Sequence, residues 1–408
     1  MFGPWHPVRM VITGGVGARV AEERKLAGLT QRQLASRANV SISLIRAAEQ
    51  GRAPASPAFV SAVSRALGMG VAELPDQPLP RENADGRQLH SVIPALRAEM
   101  AAYLLPPQDD MPQRGLDELS RDVDHVVQLR HKADLTRLGA MLPGLLEGLR
   151  AATHTYSGSG LERAFGLLGE AYCAAWQVVH KLGYLDLASL TEDRYEWAAA
   201  RSGDELAVLR GDYGRAGELI TSGDFAAGRG YLERSRATIE DRLGDADAPT
   251  LSMWGNLHLK SALAAARAGD RANADDHLAE ARETAQRIGA DRDDYRMCFG
   301  PTNVAIWSVG LAVEALDGTE AVKRAEGFTP PSSAPRERVG HYWIDLARGW
   351  LLHGDRERAL TNLIKARHTA PQQTRYHPMV HETVRMLARQ DRRRSDTLAA
   401  FATWCGIS

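Results

Sequence analysis

The stretch LTQRQLASRANVSISLIRAAEQGR, residues 29–52, has the pattern of two short helices joined by a very tight turn. Thr30 and Ser41 are suited to cap the starts of the two helices. Asn39 tolerates the left-handed backbone that such a turn usually needs. Ala35 is small enough to let the second helix approach the first. The stretch therefore predicts a closely packed helical pair.

This pair lies inside a longer helical block, residues 16–75. Capping residues, glycines and a proline divide the block into five predicted helices, at residues 16–27, 31–38, 42–50, 57–67 and 70–75. We expect residues 1–15 to form a flexible lead and the Pro-rich residues 76–87 to form a linker. Residues 88–408 then make a second domain.

One face of the second helix of the pair is expected to point away from its partner. The face carries mostly small or uncharged side chains with a single arginine, at Ile42, Ser43, Arg46, Ala47 and Gln50. The major groove of DNA accepts a face of this kind. The block holds eight Lys or Arg and four Glu, whereas the whole chain has a net charge of −1. A solvated arginine-rich surface is the alternative interpretation.

The motifs LTQRQLA, NVS, EQGR and ALG, in this order and spacing, resemble the helix-turn-helix of phage-repressor-like (XRE-type) regulators. The resemblance implies binding to double-stranded DNA. It implies base reading by Ile42, Ser43, Arg46 and Ala47 and phosphate contacts by Gln31, Gln50 and Arg52. It also implies a structural ion pair between Arg24 and Glu49. Glu23 departs from the family, which usually has a small or apolar residue there.

The remainder of the chain is predicted to be helical almost throughout, so the expected fold class is all-α. Gly-centred turns recur at Gly183, Gly223, Gly269 and Gly354, and ALDGTEAV at 315–322 lies near the middle of the last interval. Such recurrence is typical of a solenoid with two helices per repeat. The segments resemble tetratricopeptide repeats with a drifting period. A non-repeating helical domain is the alternative.

The composition argues against a disordered protein, a cysteine-bound metal site and a membrane-spanning protein. Hydrophobic residues make up 44% and charged residues 25%, which favours packed domains over disorder. The cysteines number three, without metal-ligand spacing, and no stretch approaches the roughly 20 apolar residues of a membrane span. We therefore expect a cytoplasmic protein, associated with the nucleoid when bound to DNA, without cofactor or metal.

The order of a helix-turn-helix followed by helical repeats resembles a class of actinobacterial regulators. The resemblance implies a transcriptional regulator whose repeat domain forms a homodimer and receives a signal. Two DNA-binding domains in a dimer would recognise an inverted-repeat operator.

A ligand site is expected on the concave side of the repeats, which the first helix of each repeat should line. The candidates are polar and aromatic residues within those helices: Tyr172, Trp176, Trp254, Asn256, Asn303 and Trp307. The effector would be a small molecule or a peptide. Ordinary core tryptophans and a capping asparagine are the alternative for any one of them, and a DNA-tethered protein scaffold is the alternative function. We find no convergent catalytic set and expect no enzyme; Pro378 follows His377 where a zinc-protease motif would need Glu.

Overall fold

The structure is a computed structural model that describes residues 15–75, 77, 84–106, 114–390 and 395–407 of the chain. The predicted lead falls outside these residues except for Gly15, and so does most of the predicted linker. The described segments contain helices and one isolated bridge between Arg292 and Phe299, and no strand. The all-α fold class is therefore confirmed.

The helices are numbered α1 to α21 in chain order. The first ten are α1 Val16–Leu26, α2 Gln31–Arg37, α3 Ile42–Glu49, α4 Pro57–Leu67, α5 Ala84–His90, α6 Ile93–Ala101, α7 Leu116–His131, α8 Leu135–Thr155, α9 Gly158–Lys181 and α10 Leu185–Ala199. The others are α11 Glu205–Ser222, α12 Phe225–Ala237, α13 Ala248–Arg267, α14 Arg271–Ile288, α15 Pro301–Glu314, α16 Gly318–Ala325, α17 Arg336–His353, α18 Arg356–Thr369, α19 Pro371–Tyr376, α20 Pro378–Gln390 and α21 Asp396–Cys405. Two short 3₁₀ helices lie at Glu240–Asp245 and Asp294–Arg296.

Residues 16–75, with helices α1 to α4, form the block that the sequence predicts to bind DNA, and we call it the reader. The hydroxyl of Thr30 accepts from the backbone N–H of Gln33, and that of Ser41 accepts from Leu44 N–H at 3.1 Å, so both capping residues begin their helices as predicted. Asn39 adopts the left-handed conformation, with φ 51°. The reader core is apolar and closed, and Val20, Leu34, Ile45 and Val63 are fully buried in it.

The predicted fifth helix of the reader is wrong. Residues 71–75 form successive turns instead of a helix. The Glu73 carboxylate accepts from the backbone N–H of Gly70 at 2.9 Å, which closes a local loop, and Leu74 is buried against the reader core. Pro75 has no backbone N–H, so it cannot donate the bond that would continue a helix from this segment.

The second domain contains five successive helical hairpins, α9/α10, α11/α12, α13/α14, α15/α16 and α17/α18. Gly183, Gly223, Gly269 and Gly354 all take positive φ between their paired helices, as the turn prediction requires. At the remaining turn, within ALDGTEAV, Leu316 takes this conformation instead, with φ 59°. An aspartate after the turn caps the second helix in four of the hairpins, at Asp224, Asp270, Asp317 and Asp355. The repeating pattern is therefore confirmed.

The five hairpins and the helices that flank them form an array, which curves until its last helices contact its first ones. The side-chain oxygen of Gln372 in α19 accepts from the backbone N–H of Leu135 at the start of α8, at 2.7 Å. Lys181 at the end of α9 pairs with Glu337 in α17 at 2.9 Å. Tyr376 packs within the same apolar cluster as α7 to α10. The array is thus closed on itself, and its inner helices surround a chamber.

The reader docks on this closed array through α4 and through the segment that follows α3. Ser61 and Arg65 of α4 lie against Gly223 in the turn between α11 and α12. The Glu382 carboxylate in α20 accepts from the backbone N–H of Ala55, just before α4, at 3.3 Å. Two separate parts of the array therefore hold the reader in place. None of the described helices is long and apolar enough to span a membrane.

Candidate DNA-reading surface and central chamber

The outer face of α3 is open to solvent although the reader is docked. Ser43, Arg46 and Gln50 are exposed, and Ile42 and Ala47 are half-buried. Ile45 and Ala48, on the other side of the helix, are buried in the reader core. The residues that the sequence assigned to base reading therefore share one accessible surface.

An ion pair between α1 and α3 lies beside this surface. Arg24 donates to both carboxylate oxygens of Glu49, at 2.6 and 3.0 Å, and to the carbonyl of Leu29 at 2.8 Å. Both side chains are largely covered, with 11% and 6% of their surface exposed. Burial alone would raise the pKa of Glu49, but hydrogen bonds from Arg24 and Gln31 hold it below its usual value. The pair fixes α3 against α1.

Gln31 links this pair to the reading face. Its amide donates to Glu49 at 2.8 Å, and its oxygen accepts from Arg46 at a long 3.4 Å. Arg52, exposed after α3, donates to the side chain of Gln50 at 2.8 Å. The two arginines therefore have neutral hydrogen-bond partners here, and their charge remains available to an anion at the surface.

A cavity lies between the reader and the inner helices of the array, and we call it the chamber. It has a volume of about 450 Å³. The array lines it mainly with the first helix of each hairpin, α9, α11, α13, α15 and α17, as expected for a concave face. The reader closes one side with Pro57, Val60, Val71 and Pro75, and Gln77 follows it there. A molecule in the chamber would contact both domains.

Two of the six predicted ligand residues line the chamber, and four do not. Trp176 and Trp307 line the chamber, and Trp176 stacks on His180 with ring centroids 4.5 Å apart. Asn303 is buried behind the wall, where it donates to the Cys298 carbonyl and accepts from Arg338 at 2.9 Å.

The other three predicted ligand residues lie in the helical core. Tyr172 is 2% exposed within the α7–α10 cluster. The Trp254 indole donates to Glu280 at 2.9 Å, and the Asn256 amide donates to the Ser252 carbonyl at 3.0 Å within its own helix. All three side chains are therefore part of the packed core, and the prediction that they contact a ligand is wrong for this structure.

Eleven charged residues line the chamber wall, and they were missing from the sequence-based prediction. The cations are Arg130, Lys181, Arg210, Lys260, Arg267, Arg296, Arg338 and Arg348. The anions are Glu314, Glu337 and Asp345. These residues are far apart in the chain, and each alone has the spacing of an ordinary amphipathic helix. Only closure of the array brings them together.

One group of side chains has the chemistry of metal ligands. His131, Asp293 and Cys298 each bring a ligand atom within 4.8 Å of the others. The Asp293 carboxylate already accepts from the backbone N–H and the thiol of Cys298, both at 3.1 Å, and pairs with His131 at 3.0 Å. Burial raises the pKa of the Cys298 thiol strongly, which opposes the thiolate that a metal would require. We interpret the group as a brace for the loop before α15.

Comparisons with known proteins agree with the reader. A family model described as "Helix-turn-helix domain" matches residues 16–77. No curated protein matches the chain. Among solved structures, BtubC (BKLC) from P. vanneervenii shares 15% identity and a TM-score of 0.35 over 68% of this chain and 96% of its own.

A second solved structure is Bacillus thuringiensis PlcR in complex with the peptide PapR7 and DNA. It shares 12% identity and a TM-score of 0.29, over 68% of this chain and 96% of its own. With TM-scores this low, neither likeness supports an inference about this chain. The family match and the geometry of α1 to α4 agree on one conclusion: the chain carries a helix-turn-helix domain at its N-terminal end.

Proposed function

We propose that the protein is a sequence-specific, DNA-binding transcriptional regulator that acts by binding and not by catalysis. The observation that supports this most is the open outer face of α3, with Arg46 and Ser43 exposed while the reader is docked. In this proposal Arg46 contacts guanine or a phosphate, and Ile42 and Ala47 contact thymine methyl groups. Arg52, Gln50 and Gln31 border this face and supply phosphate contacts.

Residues 16–75 act as the reader, and residues 88–408 act as a regulatory and dimerisation domain. A single reader touches few base pairs, so a homodimer on an inverted-repeat operator gives the needed affinity. The protein works in the cytoplasm, on the nucleoid when bound. The aromatic and polar lining of the chamber, together with its closure by the reader, supports ligand sensing over a protein scaffold.

The test is selection of bound sequences from a random duplex library by the full-length protein, followed by affinity measurements at several salt concentrations. The wild type should enrich a motif with two inverted half-sites. Arg46→Ala should relax the preference at one or two positions, because a good base contact contributes about 1–3 kcal/mol of discrimination. Arg52→Ala should weaken binding to all sequences and flatten the salt dependence by about one unit of slope.

Arg287→Ala is the matched control, because it removes the same charge from an exposed position on α14, away from the reader. It should leave both the motif and the salt slope unchanged. Enrichment of no motif by the wild type, or equal effects of Arg46→Ala and Arg287→Ala, would overturn the proposal.

A further inference from the structure

The chamber wall contains more positive charge than its own carboxylates compensate. Five of its eight cations have acidic partners within the fold: Lys181 pairs with Glu337, Arg210 with Glu192, Arg296 with Glu170, and Arg267 and Arg348 share Glu314. Arg130, Lys260 and Arg338 have no ion pair with any carboxylate that the structure describes. Three half-buried cations facing one cavity destabilise the folded protein unless an anion compensates their charge.

These three cations are held in place by neutral groups. Arg130 donates to the Gln177 side chain. The Lys260 ammonium lies 4.0 Å from the centre of the Tyr213 ring. Arg338 donates to Asn303 at 2.9 Å, and its guanidinium lies 5.8 Å from the centre of the Trp307 ring. Hydrogen bonds and ring contacts of this kind orient a cation without neutralising it, so the charges remain available to a ligand.

Hydrogen-bond donors are also in excess around Arg130. Arg130 Nη1, Gln177 Nε2 and Arg210 Nε are buried donor atoms without a partner among the described residues. One buried acceptor of the chamber wall, the Gln373 oxygen, is likewise unpaired. Native proteins leave few such groups unsatisfied, and a local surplus of donors is typical of a site that takes an acceptor-rich ligand.

Burial, and after it the neighbouring charges, lower the pKa values of the chamber histidines. Burial, and then the charges of Lys181 and other neighbouring cationic groups, lower the pKa of His180 to about 3. Burial and Lys181 also lower the pKa of His341, and His377 is shifted well below its usual value. The histidines are therefore neutral at physiological pH, and the lysine and arginine side chains supply the positive charge.

We propose that the chamber binds a small organic polyanion, which carries two or more phosphate or carboxylate groups and an apolar part. Arg130, Lys260 and Arg338 take the negative groups, and Trp176 and Trp307 pack against the apolar part. A volume of about 450 Å³ suits a molecule of roughly nucleotide size. This proposal rests on the proposed function only for its regulatory consequence, because the binding site itself is independent of DNA.

The consequence for DNA follows from the reader residues in the chamber wall. A ligand there contacts Pro57 and Val60 as well as the array, so its affinity depends on whether the reader is docked. The coupling is reciprocal, so operator-DNA affinity should change roughly 5- to 150-fold when the chamber is occupied.

The experiment is calorimetric titration of the full-length protein at constant ionic strength with ADP, citrate and adenosine. ADP and adenosine form a matched pair that differs in the diphosphate. We expect ADP, citrate or both to bind with a dissociation constant below about 1 mM, which a few charge-assisted bonds supply, and adenosine to bind far more weakly. Binding of ADP alone identifies a phosphate ligand, and binding of citrate alone identifies a carboxylate ligand.

Arg130→Gln, Lys260→Gln and Arg338→Gln should each weaken anion binding by about tenfold or more. Each should also keep or raise the melting temperature of the ligand-free protein, because it removes an uncompensated charge. Lys132→Gln, an exposed position two residues after Arg130, is the matched control and should bind like the wild type.

Three results are decisive. If neither anion binds below about 1 mM, or if the chamber variants bind like Lys132→Gln, the site does not exist. The latter result would mean that the anion binds outside the chamber. If the anion binds in the chamber but leaves operator affinity unchanged, the anion site stands and only its regulatory role fails.

Discussion

Arg24→Ala tests the ion pair that holds α3 against α1. Arg24 makes three hydrogen bonds, two of them to the Glu49 carboxylate, whose side chain is 6% exposed. The variant leaves this carboxylate with Gln31 as its remaining side-chain donor. Removing one partner of a buried pair costs about 3–5 kcal/mol. Because Gln31 stays in place, we expect the lower end, about 3 kcal/mol, which is roughly 100-fold in the opening equilibrium of the reader.

Hydrogen–deuterium exchange, followed by mass spectrometry on the full-length protein, measures this opening equilibrium directly. Peptides from α1 and α3 should exchange roughly 100-fold faster in Arg24→Ala, while peptides from α13 and α14 should be unchanged. Arg32→Ala is the matched control, since Arg32 is exposed on α2. Its effect should stay within about 0.5 kcal/mol.

The pH dependence sharpens the test. The pKa of Glu49 is lowered in the folded protein, so the pair stabilises the reader above the ordinary carboxyl pKa and loses its effect as pH falls through the lowered value. The difference between wild type and Arg24→Ala should therefore shrink in acid. Equal exchange of the two proteins at neutral pH, or a difference that does not change with pH, would refute the reasoning.

Three further predictions concern the operator and the array. DNase footprinting should show two protected half-sites with centres about 34 Å apart, and a single asymmetric half-site would contradict the dimer. Burial alone would raise the pKa of Glu314, but Arg267 and Arg348 outweigh this effect and lower the pKa from 4.5 to about 2. Stabilisation by ionised Glu314 is thus lost as pH falls through this range, so urea midpoints should drop more steeply in acid for wild type than for Glu314→Gln. A Cβ at Gly255 would overlap the Phe299 ring, so Gly255→Ala should cost about 1–3 kcal/mol in thermal unfolding, whereas Gly144→Ala, with open space around it, should not destabilise.

The parts of this fold that depend only on residues close together in the chain could be predicted from the sequence. Caps at Thr30 and Ser41, the left-handed Asn39 and the glycine turns act within a few residues, so their chemistry is readable in order along the chain. The short segment 71–75 was misassigned because its helix pattern competes with a local loop closed by Glu73.

The chamber could not be predicted in this way. Its unpaired cations Arg130, Lys260 and Arg338 come from three distant helices, and each is unremarkable beside its own neighbours in sequence. Their common environment depends on the curvature of the array, which is the sum of small rotations between hairpins. The aromatic residues Trp176 and Trp307 were predicted because a tryptophan within a helix is conspicuous by itself.

The bond between Gln372 and Leu135 joins residues 237 positions apart. An open array of repeats can fray from either end, and each repeat unfolds almost independently. An array whose last helices rest on its first ones has no free end, so losing one terminal hairpin exposes the other. Such long-range contacts also slow folding, because the chain must close a large loop before they form. The repeat domain should therefore form late and as a whole, and truncating it at the C-terminus should destabilise helices that begin more than two hundred residues earlier.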